Sequence, residues 1–338
     1  MKYIKVSENE AGQRLDKLLA KFLREAPKSF LYKMMRKKNI TLNGKKVQGN
    51  EMLQVGDEIR LFFSDETLEK FRGSTPMAAV PKQAARKKLD IIYEDEHIVL
   101  INKPSGMLSQ KARPQDISLT EHLIVHLMEE GSITKEQLAS FRPAVCNRLD
   151  RNTSGLVVAG KSLVGLQTMS RLLNERTMRK YYRCIVVGKL TGSQHLKGYL
   201  WKDEKTNKVH ILKEERSDAK WIETEYRAVK SANGLTLLEV HLITGRSHQI
   251  RAHLASIGHP IVGDTKYGYP NLNRTYQQSH GITCQLLHAY RLEMPEKLEG
   301  RLDYLAGKKF EAPLPGIYTK LCNYSDQVEA LAAETVRM

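Results

Sequence analysis

The sequence predicts an α+β chain in which antiparallel strands dominate one mixed sheet, preceded by a small basic α/β module. Three observations carry this. Asn43-Gly44 and Asn233-Gly234 tolerate the positive φ angles of tight hairpin turns and stand between runs of strand formers. Ser118-Leu119-Thr120-Glu121 and Thr134-Lys135-Glu136-Gln137 have the hydroxyl-to-acid or amide spacing of capping boxes, so two helices are expected before residue 146. From Met1 to Phe62 there are 14 Lys and Arg against 7 Asp and Glu, a net +7, followed by a segment without apolar periodicity.

These features divide the chain into a basic module over 1–63, a linker over 64–88, a large domain over 89–318 and a tail over 319–338. In the module, Leu15, Leu18, Leu19 and Phe22 share a helical face, and Ser29 is placed to cap a second helix carrying Leu31, Met34 and Met35. That helix ends in Arg36-Lys37-Lys38. A hairpin over Ile40–Val47 and a strand through Ile59 and Leu61 complete it. The linker holds Gly73-Ser74-Thr75-Pro76 and a basic run ending in Arg86-Lys87-Lys88.

The large domain opens with a hairpin, Ile91-Ile92-Tyr93 paired with Ile98-Val99-Leu100-Ile101. Asn102-Lys103-Pro104-Ser105-Gly106 follows; its single glycine and lack of a following Lys-Ser/Thr argue against a phosphate-cradling loop. Leu156 to Ala159 is a short buried strand, and Ser162 caps a helix bearing Leu163, Leu166, Met169 and Leu173. Lys180 to Gly188 is another strand. Residues 189–219 are hydrophilic and read as strand-poor. Thr224–Val229 and Leu235–Ile243 pair around Asn233-Gly234, and Ile250, Leu254 and Ile257 form the apolar stripe of a helix. The tail, with Val328, Leu331 and Ala332, is expected to form a short terminal helix.

At 338 residues, with 54 Lys and Arg against 38 Asp and Glu, the chain has a net charge of +16. That balance points to a polyanion as partner. No apolar run approaches the roughly 18 residues of a membrane span, so a cytoplasmic chain without a membrane partner is expected. Cys146, Cys184, Cys284 and Cys322 are widely separated and form no Cys-x-x-Cys pair, which favours reduced thiols over zinc ligands or a disulfide framework. His122 and His126 lie four apart on a helix, but lack further ligand-like companions. No metal and no other cofactor is expected.

The densest polar segment is Cys146-Asn147-Arg148-Leu149-Asp150-Arg151-Asn152-Thr153-Ser154-Gly155. It reads as a loop feeding the 156–159 strand, and Arg148 and Arg151 favour the ionised form of Asp150. By itself the pattern is better described as a solvated turn with an Asp and phosphate-binding arginines. Thr244-Gly245-Arg246-Ser247-His248-Gln249-Ile250-Arg251-Ala252-His253 gathers Arg and His at a helix start, which on its own describes an anion-binding site.

Arg148-Leu149-Asp150 with Thr153-Ser154-Gly155 resembles the central motif of the pseudouridine synthases that modify ribosomal RNA, the RluA family. Asn102-Lys103-Pro104-x-Gly106, the strand from Lys180 to Gly188, the run from Thr244 to Leu254, and Leu287-His288-Ala289-Tyr290 with Phe310-Glu311-Ala312-Pro313 resemble its other motifs. Where the family has His before Arg-Leu-Asp, this chain has Asn147. The 1–63 module resembles the RNA-binding domain named after ribosomal protein S-four. The likeness spans most of residues 10–318.

The resemblance implies a pseudouridine synthase catalytic fold and isomerisation of uridine in large-subunit ribosomal RNA. It implies Asp150 as the catalytic carboxylate, Arg251 as its ionic partner and Tyr182, six residues before Gly188, as the ring beside the base. Arg148 would fill the space that the base leaves. Arg246 and His248 would meet RNA or make structural hydrogen bonds, as would His253, and Arg36, Lys37 and Lys38 would contact phosphate. The Asn-Lys-Pro-x-Gly turn would support the catalytic loop. The partner is then RNA and the enzyme a monomer. Three alternatives stand beside this reading: a non-catalytic RNA-binding assembly protein, a nucleoside hydrolase, and a synthase acting on transfer RNA.

Overall fold

A computed structural model describes residues 2–72, 88–135 and 137–322. In the module, β1 (Lys2–Lys5), α1 (Leu15–Phe22), α2 (Lys28–Arg36), β2 (Ile40–Leu42), β3 (Lys45–Lys46), β4 (Glu58–Leu61) and α3 (Asp65–Arg72) follow in order. The strands form a sheet in the order β1-β4-β2-β3. Leu15, Leu18, Leu19 and Phe22 are all buried, with Leu31, Met35, Ile40 and Ile59 in the same core. The β2–β3 turn has φ of 51° at Asn43 and 75° at Gly44, the two positive angles that this hairpin turn requires.

Two expectations for the module are corrected. Pro27, not Ser29, stands at the start of α2, with φ −57° and ψ 143°. Proline has a preset φ and no N–H to leave unsatisfied there, so Ser29 falls inside the first turn. Within the expected linker, residues 65–72 form α3, whose Leu68 and Phe71 pack on the module core. The rest of that linker, 73–87, lies outside the described residues.

The large domain contains β5 (Ile91–Glu94), β6 (Ile98–Lys103), α4 (Leu119–Glu129), β7 (Ala144–Val145), β8 (Ser154–Gly160), α5 (Leu163–Asn174), β9 (Arg179–Val187), β10 (Ser193–Asp203), β11 (Lys208–Leu212), β12 (Lys220–Ala232), β13 (Leu235–Leu242), α6 (Gln249–Ser256), α7 (Pro270–His280), β14 (Leu287–Glu293), β15 (Lys309–Glu311) and α8 (Gly316–Cys322). Its sheet runs β11-β10-β12-β13-β9-β14-β8-β6-β5, with β15 beside β14 and β7 beside β8. β8 and β14 pair in parallel and the other neighbours antiparallel, as the mixed reading expects. At that parallel pair Gly155 adopts φ 105°, and a Cβ there would lie 2.2 Å from the Ala289 carbonyl oxygen. Only glycine lets the two backbones come this close.

β6 and β8 are buried on both faces. Val99, Ile101, Val157 and Ala159 face one core, and Ile98, Leu100, Leu156 and Val158 face another beneath α5. Ser118 and Glu121 form the expected capping box of α4, and Ser162 Oγ accepts from the Gly165 amide at the start of α5. The Thr134–Gln137 box also forms, but encloses only a 3-10 turn over Gln137–Ala139. Pro143 lies too close for a helix to continue, because the residue before a proline avoids helical angles.

The strand-poor reading of 189–219 is corrected by β10 and β11. Leu196, Gly198 and Leu200 point inward and Lys197 outward, an alternation that high charge conceals in the sequence. α7 was not expected either: it buries none of its residues, and starts at Pro270. α8 carries the packed chain to Cys322, past the expected boundary at 318; residues 323–338, including the expected terminal helix, lie outside the described residues. No helix among the described residues is long and apolar enough to cross a membrane.

Candidate active site

The Asp150 loop is fixed on both sides by the 103–109 turn. Lys103 is fully buried, and its ammonium donates to the carbonyls of Pro104, Met107 and Arg151 at 3.1, 2.9 and 3.1 Å. The Gly106 amide donates to the Arg151 carbonyl at 3.0 Å, and Ser105 Oγ to the Asn152 carbonyl at 2.9 Å. Buried Ser109 grips Leu149 by both backbone groups: its Oγ donates to the carbonyl and accepts from the amide, each at 3.0 Å. Asn147, three residues before Asp150 in the same loop, also has a defined role. Asn147 accepts from the Val158 amide through Oδ1 at 2.8 Å and donates to the Leu156 carbonyl at 3.3 Å, tying the loop to β8.

Asp150 emerges from this support with its carboxylate partly exposed, at 28%. Its Oδ2 accepts from Arg251 Nη1 at 3.0 Å. Arg251, on α6, is itself held from behind: Nε and Nη2 donate to the two oxygens of Asp264 at 2.7 and 2.9 Å. Asp264 is fully buried and also accepts from the amides of Lys266 and Tyr267 at 2.9 and 3.1 Å. The fork-to-fork pair consumes two faces of the guanidinium and directs the third at Asp150. Among the described residues no hydrogen bond or ion pair engages Asp150 Oδ1.

Electrostatics follow from this arrangement. Burial works against the charge of Arg251, but Asp264 and Asp150 more than offset it and raise the pKa. Burial likewise opposes the charge on Asp264, yet Arg251 and the two amides hold its carboxyl below the usual carboxylate range. Tyr182, on β9, is buried, and burial together with the negative charge of Asp150 pushes its phenol well up. It is a neutral hydroxyl on an aromatic face. Tyr181, the neighbouring tyrosine on β9, stacks instead on His241, with ring centroids 4.8 Å apart.

The turn before α6 is built by Gln249. Its Oε1 accepts from Thr244 Oγ1 and the Arg246 amide, and its Nε2 donates to the Glu223 carbonyl and Thr224 Oγ1. His248 takes the left-handed φ of 54° at the helix start. Its Nε2 lies 3.8 Å from Asp150 Oδ2, and its Nδ1 is 2.9 Å from the Tyr267 hydroxyl. Burial, partly countered by Asp150, lowers its pKa. His253 is buried against Thr224 Oγ1 at 3.0 Å and is a structural residue. Arg148 is exposed at the rim.

The structure therefore brings Asp150, Arg251, His248 and Tyr182 together and places Arg36, Lys37 and Lys38 on the separate module, all three exposed. Asp264 and Tyr267 were missed by sequence reasoning. Tyr267 carries Arg251 over its ring at 5.2 Å and accepts from the Val209 amide of β11 at 2.9 Å. A Gly-Asp pair followed by Lys-Tyr after a helix was the only available signal, and it specifies no partner. Away from the site, Glu94, His126 and Glu130 are close enough to share a cation, but Lys161 already binds Glu94 at 2.6 Å.

Comparison with known proteins places the chain in a family. Residues 97–256 match the RNA pseudouridylate synthase family and residues 13–59 the S4 domain. The chain is 31% identical over 292 residues to ribosomal large subunit pseudouridine synthase C of Vibrio vulnificus, covering 85% of this chain and 86% of that protein. Against the protein of the same name from Escherichia coli K12 it is 30% identical over 321 residues, 93% of each. The solved structure of human RNA Pseudouridylate Synthase Domain Containing 1 shares the fold, with a TM-score of 0.54 and 18% identity over 72% of this chain and 94% of that one. By its sequence relatives and its family match, the chain belongs to the RNA pseudouridine synthases and is an enzyme of that class.

Proposed function

We propose that this enzyme isomerises uridine in large-subunit ribosomal RNA with Asp150 as the catalytic carboxylate. The observation that carries the assignment is the Asp264–Arg251–Asp150 chain, which pins one oxygen of a partly exposed Asp150 close enough to Tyr182 for its charge to act on that phenol. The reaction breaks the bond from ribose carbon 1′ to uracil nitrogen 1 and forms one to carbon 5; the carbon 5 proton leaves to solvent and nitrogen 1 takes up a proton in its place. Atoms and electrons balance without a redox carrier or a metal.

A base reaches the site only after leaving its stack, at a cost of a few kcal/mol that loop RNA reduces. Tyr182 then offers a ring face to uracil and a phenol that stays protonated, while Arg148 stands at the rim to occupy the vacated position. Asp150 acts by adding to the sugar, by adding to the base, or by removing a sugar proton; the geometry serves all three. Arg251 holds the carboxylate in place through its hydrogen bond to Oδ2. We divide the chain functionally at the 73–87 segment: the module before it gives affinity through Arg36, Lys37 and Lys38, and the domain after it performs the chemistry, in a cytoplasmic monomer.

Tritium release from RNA labelled at uridine carbon 5 tests this directly. The intact protein is expected to release tritium from deproteinised large-subunit ribosomal RNA, with pseudouridine in the digest, and Asp150→Asn to release none above background. Release of free uracil would mean hydrolysis instead, and release from transfer RNA alone would move the substrate. Equal activity in Asp150→Asn would remove Asp150 from the chemistry.

A further inference from the structure

Cations that are partly or fully buried in the large domain have identifiable partners. Arg251 has two aspartates, Lys161 has Glu94, Arg183 has Glu239, and Lys103 has three carbonyls. Even exposed Arg179, next in the chain, binds Glu293 at 2.9 Å. Lys180 departs from this pattern. It is half-buried at the start of β9, and among the described residues no hydrogen bond or ion pair engages its ammonium. The charged neighbour that acts on it is Arg176, which repels it, and burial and this repulsion together lower its pKa.

Two features place this ammonium at the site. Side chains two apart on a strand share a face and stand about 6–7 Å from each other, so Lys180 lies on the face of Tyr182, the ring beside Asp150. Its Nζ also sits 3.3 Å from the position a Cβ on Gly245 would take, in the turn that leads into α6. Gly245 is not among the residues with positive φ, so the backbone does not call for glycine there. A Cβ there would crowd the Lys180 ammonium mildly, by a few tenths of an ångström that the flexible side chain can yield.

An unpaired, partly desolvated cation costs free energy that an arriving anion returns. RNA carries one such anion per nucleotide, a nucleotide's length from its base. We propose that Lys180, in the space left by Gly245, forms a phosphate subsite that receives the backbone phosphate of the nucleotide whose base enters beside Tyr182. This inference rests on the functional reading above. Lys180 is then a positioning residue: it fixes the ribose relative to Asp150 through the phosphate, and its contribution appears in turnover as well as in affinity.

The test compares the full-length protein with Lys180→Met and Lys180→Arg on deproteinised large-subunit ribosomal RNA, by tritium release and by binding across a salt series. Loss of one charge-assisted hydrogen bond predicts a fall in kcat/KM of about 10- to 100-fold for Lys180→Met, part of it in kcat at saturating RNA. The slope of log affinity against log salt should become shallower by about 0.7 for a single-stranded contact. Lys180→Arg should keep most of both, and the melting temperature of Lys180→Met should equal or exceed that of the parent. Unchanged kcat/KM and salt slope in Lys180→Met would overturn the subsite. So would a lowered melting temperature together with a loss that Lys180→Arg does not rescue, because that pattern means a structural lysine. If the intact protein releases no tritium, the functional reading fails, and the salt slope still decides whether Lys180 meets phosphate.

Discussion

Arg251 and Lys37 both add to a net charge of +16, yet they sit in opposite settings. Arg251 is 7% exposed, with three of its nitrogens bonded to two carboxylates. Lys37 is exposed at the end of α2, beside Arg36 and Lys38, and none of the three side chains has a partner among the described residues. The first cation is immobilised, so its field has a direction; the second is solvated, so its field has only a range. Chemistry on one atom needs the former, and adhesion to a polyanion of variable sequence needs only the latter. Lys38 even takes a left-handed φ of 60°, normally a glycine position at a helix end, which keeps a charged side chain where the backbone favours a residue without a Cβ.

The comparison breaks most visibly at Asp264. Asp264→Asn removes the charge that faces Arg251 in full burial, and loss of one partner of such a pair costs about 3–5 kcal/mol. The expected outcome is a melting temperature lower by several degrees and tritium release reduced by more than a hundredfold, since Arg251 can then swing from Asp150. Parent-like values in both measurements would mean that Asp150 needs no second anchor.

Acid separates the two regions next. Burial depresses the pKa of His253 and of His288 to about 4, from an unfolded value near 6.5. Between these values the unfolded chain binds protons that the folded chain does not, so stability is fully present above about pH 6.5 and is lost as pH falls toward 4. The loss is of order 3 kcal/mol for each histidine. The module contains no histidine, and both tryptophans, Trp201 and Trp221, lie in the large domain. Tryptophan fluorescence should therefore report a falling melting temperature from pH 6.5 to 4, while amide exchange in residues 2–72 changes far less. A flat fluorescence midpoint across that range would show that neither imidazole is held neutral.

The smallest effect is on the module. Arg36→Ala combined with Lys37→Ala should leave stability and the Asp150 site intact and make the salt slope of RNA binding shallower by about 1.4–1.8. An unchanged slope would take the α2 end out of the RNA contact.

Much of this was legible in the chain, and the exceptions share a cause. The hairpin turns at Asn43-Gly44 and Asn233-Gly234, the caps at Ser118 and Ser162 and the buried faces of α1 and β8 depend on neighbours in sequence, and each forms as expected. Asp150, Arg251 and Tyr182 stood in recognisable motifs. Asp264 did not, because its meaning lies wholly in a guanidinium that the fold brings to it. β10 and β11 were hidden because strands at the sheet's margin with one wet face carry polar and charged residues between their few buried ones, and Val209 of β11 turned out to hold Tyr267 in the site wall. Ser109 and Lys103 act on backbone atoms of a loop some 40 residues away, which no local pattern encodes.

The distance along the chain between Asp150 and Arg251, 101 residues, also bears on the order in which the molecule is made. The parallel β8–β14 pair is wider still, with Ser154 and His288 separated by 134. Contacts of such range form late and slowly, whereas the module completes its core within residues 2–72, which leave the ribosome before the large domain does. A nascent chain thus acquires its grip on RNA while its catalytic half is still being synthesised.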